Sequence, residues 1–375
     1  MIRGMFGLVA LLVCAPLLIA AVLPEERADL LYHRYDGGGV TVDGPSLLVR
    51  KNFAETVSVS YKHYVDNVSS ASIDVVTTAS PDGYTETRTE NSFGVDYLYD
   101  RTLISASYTH SDENDYTAQT YSFDISQDFF GDLSNLSIGF SLGDDEVRRN
   151  GDDSFSEEVE RRHFRVGLSQ ILTRNLLVAG SYEAITDEGY LNNPYRSVRY
   201  LTGGGTYAFQ PEIYPNTRTS DTFALRALYH LPYRAALKAE YRNYRDDWDI
   251  KANSVEIGYT HPFFKHWIFD LRLRHYSQDK AEFYSDLFPF QNAQNYLARD
   301  KELSTFTSMT YGIGVSYQFS WSGAPWIDKA SINLNWDRMQ FDYDDFRDIS
   351  SGSAGNEPLY SFDADVVRFF FSAWY

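Results

Sequence analysis

The sequence of 375 residues holds one cysteine, Cys14, and that residue falls inside its one long apolar run. The rest of the chain therefore has no disulfide framework and no thiol chemistry. Beyond that run, no stretch is apolar enough to cross a bilayer as a helix, and none carries a sustained helical stripe. Positive charge is scarce. Lys and Arg number 33 against 52 Asp and Glu, a formal net charge of -19. This balance excludes a nucleic-acid-binding stripe and disfavours a polyanionic ligand unless cations are locally concentrated. His-Glu-x-x-His, Gly-x-Ser-x-Gly, a phosphate loop and a Cys pair are all missing. Gly312 and Gly314 lack a third glycine at the required spacing and lie in a strand pattern. The eight histidines are scattered. His261 and His266 flank one short turn, and His110 with Asp112 or His275 with Asp279 are pairings that an Asp-rich chain gives by chance. No catalytic, cofactor or metal residue is assigned, and the chain reads as a non-enzyme without a cofactor.

The apolar run itself spans Met5 to about Leu23 behind Met1-Ile2-Arg3. It reads as a secretory signal peptide, residues 1–21, cut near Ala20 or Ala21. The alternative is a membrane anchor, which Pro16 interrupts. Val13 is large where a lipoprotein signal needs a small residue before Cys14.

From residue 22 onward, apolar and polar residues alternate. Leu136, Ile138, Phe140 and Leu142 alternate with Ser and Gly, as do Tyr311, Ile313, Val315, Tyr317 and Phe319. Period two is the strand signal. The segments are long enough for a tilted strand, about nine to eleven residues, to cross a bilayer. The last ten residues alternate too: Val367, Phe369, Phe371 and Ala373 form one stripe that runs to Tyr375. A soluble protein would guard such an edge, whereas a barrel pairs its last strand with its first.

Connections come in two sizes. Short ones recur near residues 53–55, 99–101, 130–132, 172–174, 231–233, 263–266 and 321–326. Long ones are expected at 67–84, 148–156, 188–218, 282–301 and 344–358, with a tight turn at 112–116. One set of short turns opposite one set of long loops is the outer-membrane barrel pattern, with short turns periplasmic. Parity then requires a first strand at Asp29–Asp36, joined through Gly37-Gly38-Gly39 to the next. The count is about 16 strands, within a range of 14 to 18. Aromatics make up 16% of the chain, 29 of them Tyr, and Phe53, Tyr99, Phe129, Tyr233, Trp267, Trp321 and Trp326 crowd the short turns as an interfacial girdle would. The expected fold is an all-β transmembrane antiparallel up-and-down β-barrel over residues 22–375, with both termini periplasmic in the outer membrane of a Gram-negative bacterium. A soluble β-sandwich gives strands as well, but not one loop asymmetry along the whole chain. Phe369, Phe371 and Tyr375 read as the insertion signal for the barrel-assembly machinery.

If the apolar stripe faces lipid, the other face lines the lumen. Between Thr102 and Gly143 that face is mostly Ser, Thr, Gly and Asn. Between Val159 and Tyr276 it carries Arg161, His163, Arg165, Glu183, Arg226, Lys238, Glu240, Arg242, Glu256, Asp270, Arg272 and Arg274, with cations in excess. Such a wall either favours anions in a wet channel or pairs internally and stiffens a narrow lumen. The longest loop, Glu188 to Arg218, holds Tyr190, Asn192, Asn193, Tyr195 and Arg196, and forms either a constriction or an outer contact surface. Acidic runs such as Asp112-Glu113-Asn114-Asp115 are divalent-cation ligands bridging to lipopolysaccharide or simply solvated loop tips. They lack the EF-hand order.

Four blocks carry a family resemblance: 27–40, 70–81, 187–199 and 298–305. Through them the chain resembles a family of bacterial outer-membrane barrels with no assigned function. The resemblance implies a Gram-negative barrel encoded near a small lipoprotein, a flavin transferase and a thioredoxin-like protein. A periplasmic lipoprotein or flavin/redox partner is implied on the same ground, alongside outer-membrane lipid and lipopolysaccharide, with no nucleic acid. Three functions follow as expectations: a porin-like channel or export/assembly conduit, a closed-lumen scaffold or adhesin, and an outer-membrane hydrolase.

Overall fold

A computed structural model describes residues 22–70, 84–320 and 323–375. The expected signal peptide at 1–21, most of the block at 70–81 and Trp321 lie outside these residues. The first strands are β1 (Arg27–Gly37), β2 (Val40–Phe53), β3 (Val57–Ser70), β4 (Tyr84–Tyr99), β5 (Thr102–Asp112) and β6 (Tyr116–Phe129). They continue through β7 (Ser134–Arg149), β8 (Asp152–Thr173), β9 (Leu176–Gly189), β10 (Ser197–Gly203), β11 (Thr206–Pro211) and β12 (Thr217–His230). The last are β13 (Ala236–Asp246), β14 (Lys251–Phe263), β15 (Trp267–Gln278), β16 (Phe306–Phe319), β17 (Lys329–Arg347) and β18 (Leu359–Trp374). All but β10 and β11 form one closed antiparallel barrel of 16 strands, as the alternation and parity predict. β1 closes on β18, with Leu30 opposite Phe371 and Tyr32 opposite Phe369.

The alternation explains the wall. Phe93, Val95, Tyr121, Phe123, Phe223, Leu225, Leu271 and Leu334 all point outward and stay exposed. An apolar belt of this extent on the outside marks a surface built for lipid. At the short-turn end the belt finishes in exposed rings, among them Tyr99, Phe129, Tyr233, Trp267 and Trp326. The turns there are tight: Ala54 and Glu55 both take positive φ, as do Asp100 and Phe264.

The other end differs in part from the sequence expectation. Residues 148–156 are not a loop. Strands β7 and β8 continue to a two-residue turn at 150–151, where Gly151 has φ +84. Continued pairing up to Arg148 with Ser156, followed by a register shift, absorbs the charged residues on extended strands. Gly38 and Gly39, both at positive φ, likewise make the β1–β2 connection a tight hairpin. Among the described residues the long connections are 190–216, which contains the separate β10–β11 hairpin, together with 279–305 and 348–358, and most of the connection expected at 67–84 lies outside those residues.

These loops fold into the barrel mouth. Near that end the inward-facing residues turn apolar: Tyr35, Val42, Val68, Phe341, Tyr343 and Val366. They pack with Trp248, Phe283, Tyr284 and Leu303 into one core cluster, a hydrophobic plug under the long loops. Periodicity predicts which face of a strand turns inward. It does not show that the inward face near this end packs into a plug, because the strand residues meet Trp248, Phe283, Tyr284 and Leu303 from connections distant in sequence.

Candidate functional site

Beneath the plug lies a cavity of about 1100 Å³. Its wall is the inward face of β8, β9 and β12–β16, with Asp337 and Arg368 arriving from β17 and β18. Eleven of the twelve expected lumen residues line it, and the exception is Arg165. Arg165 faces inward one step away, where its Nε donates to Asp124 of β6 at 2.8 Å.

Most of the wall charge is paired. Arg226 Nε donates to Glu240 at 2.7 Å, and Lys238 Nζ to Glu256 at 2.9 Å. His163 and Arg242 approach Glu183 at 3.4 and 3.7 Å. Arg161 Nε meets Asp187 at 2.5 Å. Arg272 and Arg368 both reach Asp337, at 2.5 and 2.6 Å. Most pairs run between neighbouring strands, where residues on one face stand about 5 Å apart, while Arg242–Glu183 and Arg272–Asp337 each reach across one intervening strand.

Two groups differ. Asp270 accepts from the Thr260 hydroxyl at 2.5 Å and has no ion pair among the described residues. Arg274 has no ion pair among the described residues either, and its guanidinium lies 5.9 Å from the centre of the Tyr276 ring. Nine Arg or Lys and eight Asp or Glu line the cavity. The cation excess read from Val159–Tyr276 is thus nearly cancelled. Sequence reasoning missed Asp187 and Asp124 on strands it covered, and did not carry the charged wall on to Asp337 and Arg368. The same alternation, followed onto β17 and β18 and with the acids of β6 counted, would have found them.

The loop residues sit at the cavity roof. Tyr190, Asn192, Asn193 and Arg196 line it. Tyr190 stacks edge-on against Phe155 at 5.3 Å. Asn192 accepts from the Tyr214 N–H at 2.8 Å and donates to the Glu212 carbonyl at 3.1 Å. Asn193 accepts from the Tyr195 N–H at 3.0 Å. The Tyr195 hydroxyl donates to Asp115 at 2.6 Å, and Arg196 pairs with Asp300. Glu212 joins the two long loops, accepting from the Arg299 N–H and the Tyr214 hydroxyl, each at 2.7 Å. Burial, and then Asp300, push its carboxyl up to about 7. Outside the cavity, the fully buried Arg199 pairs with Asp286 and Glu357 and pins the β10–β11 hairpin to the other loops.

At the closing seam Phe369 points outward, and the Tyr375 hydroxyl donates to the Arg50 carbonyl at 2.9 Å. Phe371 packs with Ile327, Ala330 and Ala373. His275 Nδ1 lies 3.3 Å from Met309 Sδ rather than beside a carboxylate. Sequence analysis did not single out His33. It is buried, with Nε2 2.7 Å from Asp66 and 3.1 Å from the Tyr64 hydroxyl.

A family model described as "Protein of unknown function (DUF3570)" matches residues 14–327. No curated protein matches the sequence. Among solved structures, a bacterial polysaccharide outer membrane secretin is similar at 10% identity over 94% of this chain and 99% of that one, with a TM-score of 0.51. A loop L8 deletion mutant of OmpT, an outer membrane protein of Vibrio cholerae, is similar at 9% identity over 93% and 98%, with a TM-score of 0.44. A Pseudomonas aeruginosa FadL homologue is similar at 10% identity over 95% and 91%, with a TM-score of 0.43. The secretin likeness concerns the fold alone, and that fold is a barrel of outer-membrane architecture.

Proposed function

The chain belongs to the DUF3570 family of proteins of unknown function, and from that premise we propose that it is a gated conduit of the Gram-negative outer membrane for a small, weakly anionic solute. The cavity carries this reading. Its wall is internally neutralised except at a few groups, and Arg274, which lines the cavity, makes no salt bridge among the described residues, the Glu256 opposite it being bonded to Lys238. A cation without a salt bridge in a partly desolvated wall attracts anions more strongly than a bridged one. The loops in the mouth make a permanently open pore the poorer reading and a gate the better one.

In this reading the short turns and both termini face the periplasm and the plug faces outward. Phe369, Phe371 and Tyr375 serve insertion. A lipoprotein or flavin-carrying redox partner, which the family resemblance alone suggests, would meet the short-turn end. Lipopolysaccharide surrounds the other end. Catalysis is not assigned, because His275 is placed against Met309 rather than Asp279.

Planar-bilayer conductance in a salt gradient tests the proposal. Wild type should pass small anion-favouring currents. Replacing residues 282–300 with a short Gly-Ser link should raise the conductance several-fold, and Arg274→Gln should reduce the anion preference. A silent loop-deleted barrel, or one selective for cations, overturns the proposal. A second reading, a closed surface scaffold, is favoured by the buried Arg199–Asp286–Glu357 anchor. It predicts that silent outcome.

A further inference from the structure

Three carboxylates meet at the long-loop rim. Glu86 lies near the start of β4, and Glu113 and Asp115 sit on the tight connection between β5 and β6. Each offers an oxygen, and these oxygens all lie within 4.8 Å of one another. Glu86 is 7% exposed and Asp115 4%. Glu86 Oε1 and Asp115 Oδ1 are buried and have no hydrogen-bond partner among the described residues. The nearby cation is already committed. Arg88 comes within 3.7 Å of Glu113, but donates to Ser111 at 2.9 Å and to Glu90 at 2.7 Å, and faces Asp66 at 3.8 Å. Carboxylates so close and so dry hold together through a bound cation or a shared proton.

We propose that Glu86, Glu113 and Asp115 bind a hard divalent cation of the Ca²⁺ class. Oxygen-only donors suit Ca²⁺ or Mg²⁺ and not the nitrogen- and sulfur-seeking metals. Oxygens within 4.8 Å of one another can share one ion, and a site on loop and strand carboxylates suits the flexible coordination of Ca²⁺ better than Mg²⁺, which demands near-ideal octahedral geometry and sheds its water reluctantly. The site also has a mechanical role. The other oxygen of Asp115 accepts from Tyr195 at 2.6 Å, and the same hydroxyl accepts from the Asn150 N–H at 2.6 Å. An ion here fastens the tip of loop 190–196 to the barrel rim. The sequence placed Glu113 and Asp115 in an acidic run; Glu86, far away in sequence, is what turns that run into an enclosed site.

The test is calorimetric titration of the chelator-treated full chain, refolded in detergent, with CaCl₂ and in parallel with MgCl₂. We expect saturable binding of about one Ca²⁺ per chain in the range typical of extracellular modules, roughly 0.1–1 mM, with Mg²⁺ weaker. E86Q and D115N should each weaken binding at least tenfold. The control D152N/D153N, at an exposed tip, should stay within twofold of wild type. Y195F should keep the affinity and lose the Ca²⁺-dependent protection of residues 190–196 from hydrogen exchange. E113Q, at a less buried position, serves if the buried variants fail to fold. No saturation up to about 10 mM Ca²⁺, or equal binding in wild type and folded E113Q or E86Q/D115N, overturns the proposal. Absence of Ca²⁺ binding together with greater stability of E86Q/D115N identifies a shared proton and also overturns it.

Discussion

Individual residues set the plug's response to acidity. Glu212 has its carboxyl raised from the ordinary 4.5 to about 7, by burial first and Asp300 second. Arg196, the Arg299 N–H and the Tyr214 hydroxyl oppose that rise. A carboxyl raised on docking binds a proton more tightly in the docked state. Docking is therefore strongest below 4.5, weakens as pH rises towards 7, and is flat above. Hydrogen exchange of residues 190–216, corrected for intrinsic rates, should show less protection at pH 7.5 than at 5.5. Glu212→Gln should remove most of that difference, and an unchanged profile in the variant would falsify the assignment. Nothing in the sequence marks Glu212, because its burial arises from two loops that the chain brings together from far apart.

At the level of the strand, position relative to the lipid belt decides the cost of a substitution. Leu271 points outward in the middle of β15 and is 53% exposed. Leu271→Arg should destabilise folding into lipid vesicles by about 2–4 kcal/mol, the cost of a cation at the bilayer midplane. Arg272, its neighbour, costs nothing comparable, since it faces inward onto Asp337. Equal costs for Leu271→Arg and for a polar change at Asn333, on the inner face, would refute the facing. This facing was legible from the sequence, since Leu271 and Arg272 differ only in parity. The short turns were legible as well, because Ala54-Glu55 and Phe264 interrupt the alternation. The turn at 150–151 was not. Its flanking residues are polar whether they sit on overhanging strands or in a loop, and composition alone does not separate the two. The β10–β11 hairpin was hidden in the same way, though it left the strand count correct because it stays outside the barrel.

For the whole molecule, parity constrains repair. Strands β2 and β18 both pair with β1 and run antiparallel to it. They are therefore parallel to each other. A chain lacking residues 22–37 has no antiparallel way to close its wall. It should insert poorly into vesicles and remain protease-sensitive, and a protected, heat-stable product would contradict this. The buried aromatic plug and the inward charge belt depend on the closed circumference, so losing one strand disturbs both.

The seam between β1 and β18 also sets a kinetic order. Neighbouring strands elsewhere follow one another along the chain, the longest connections among the described residues being 190–216 and 279–305, so their contacts are far more local. Across the seam Leu30 faces Phe371, about 340 positions away in the chain. Chain-closure entropy grows by about 2 kcal/mol for each tenfold increase in loop length, so the last ladder is the costliest to start. Until it forms, the growing sheet carries two unpaired edges, each able to template pairing with another chain. The seam is thus where a nascent molecule is most exposed to aggregation, and where an escort during synthesis and transit would matter most.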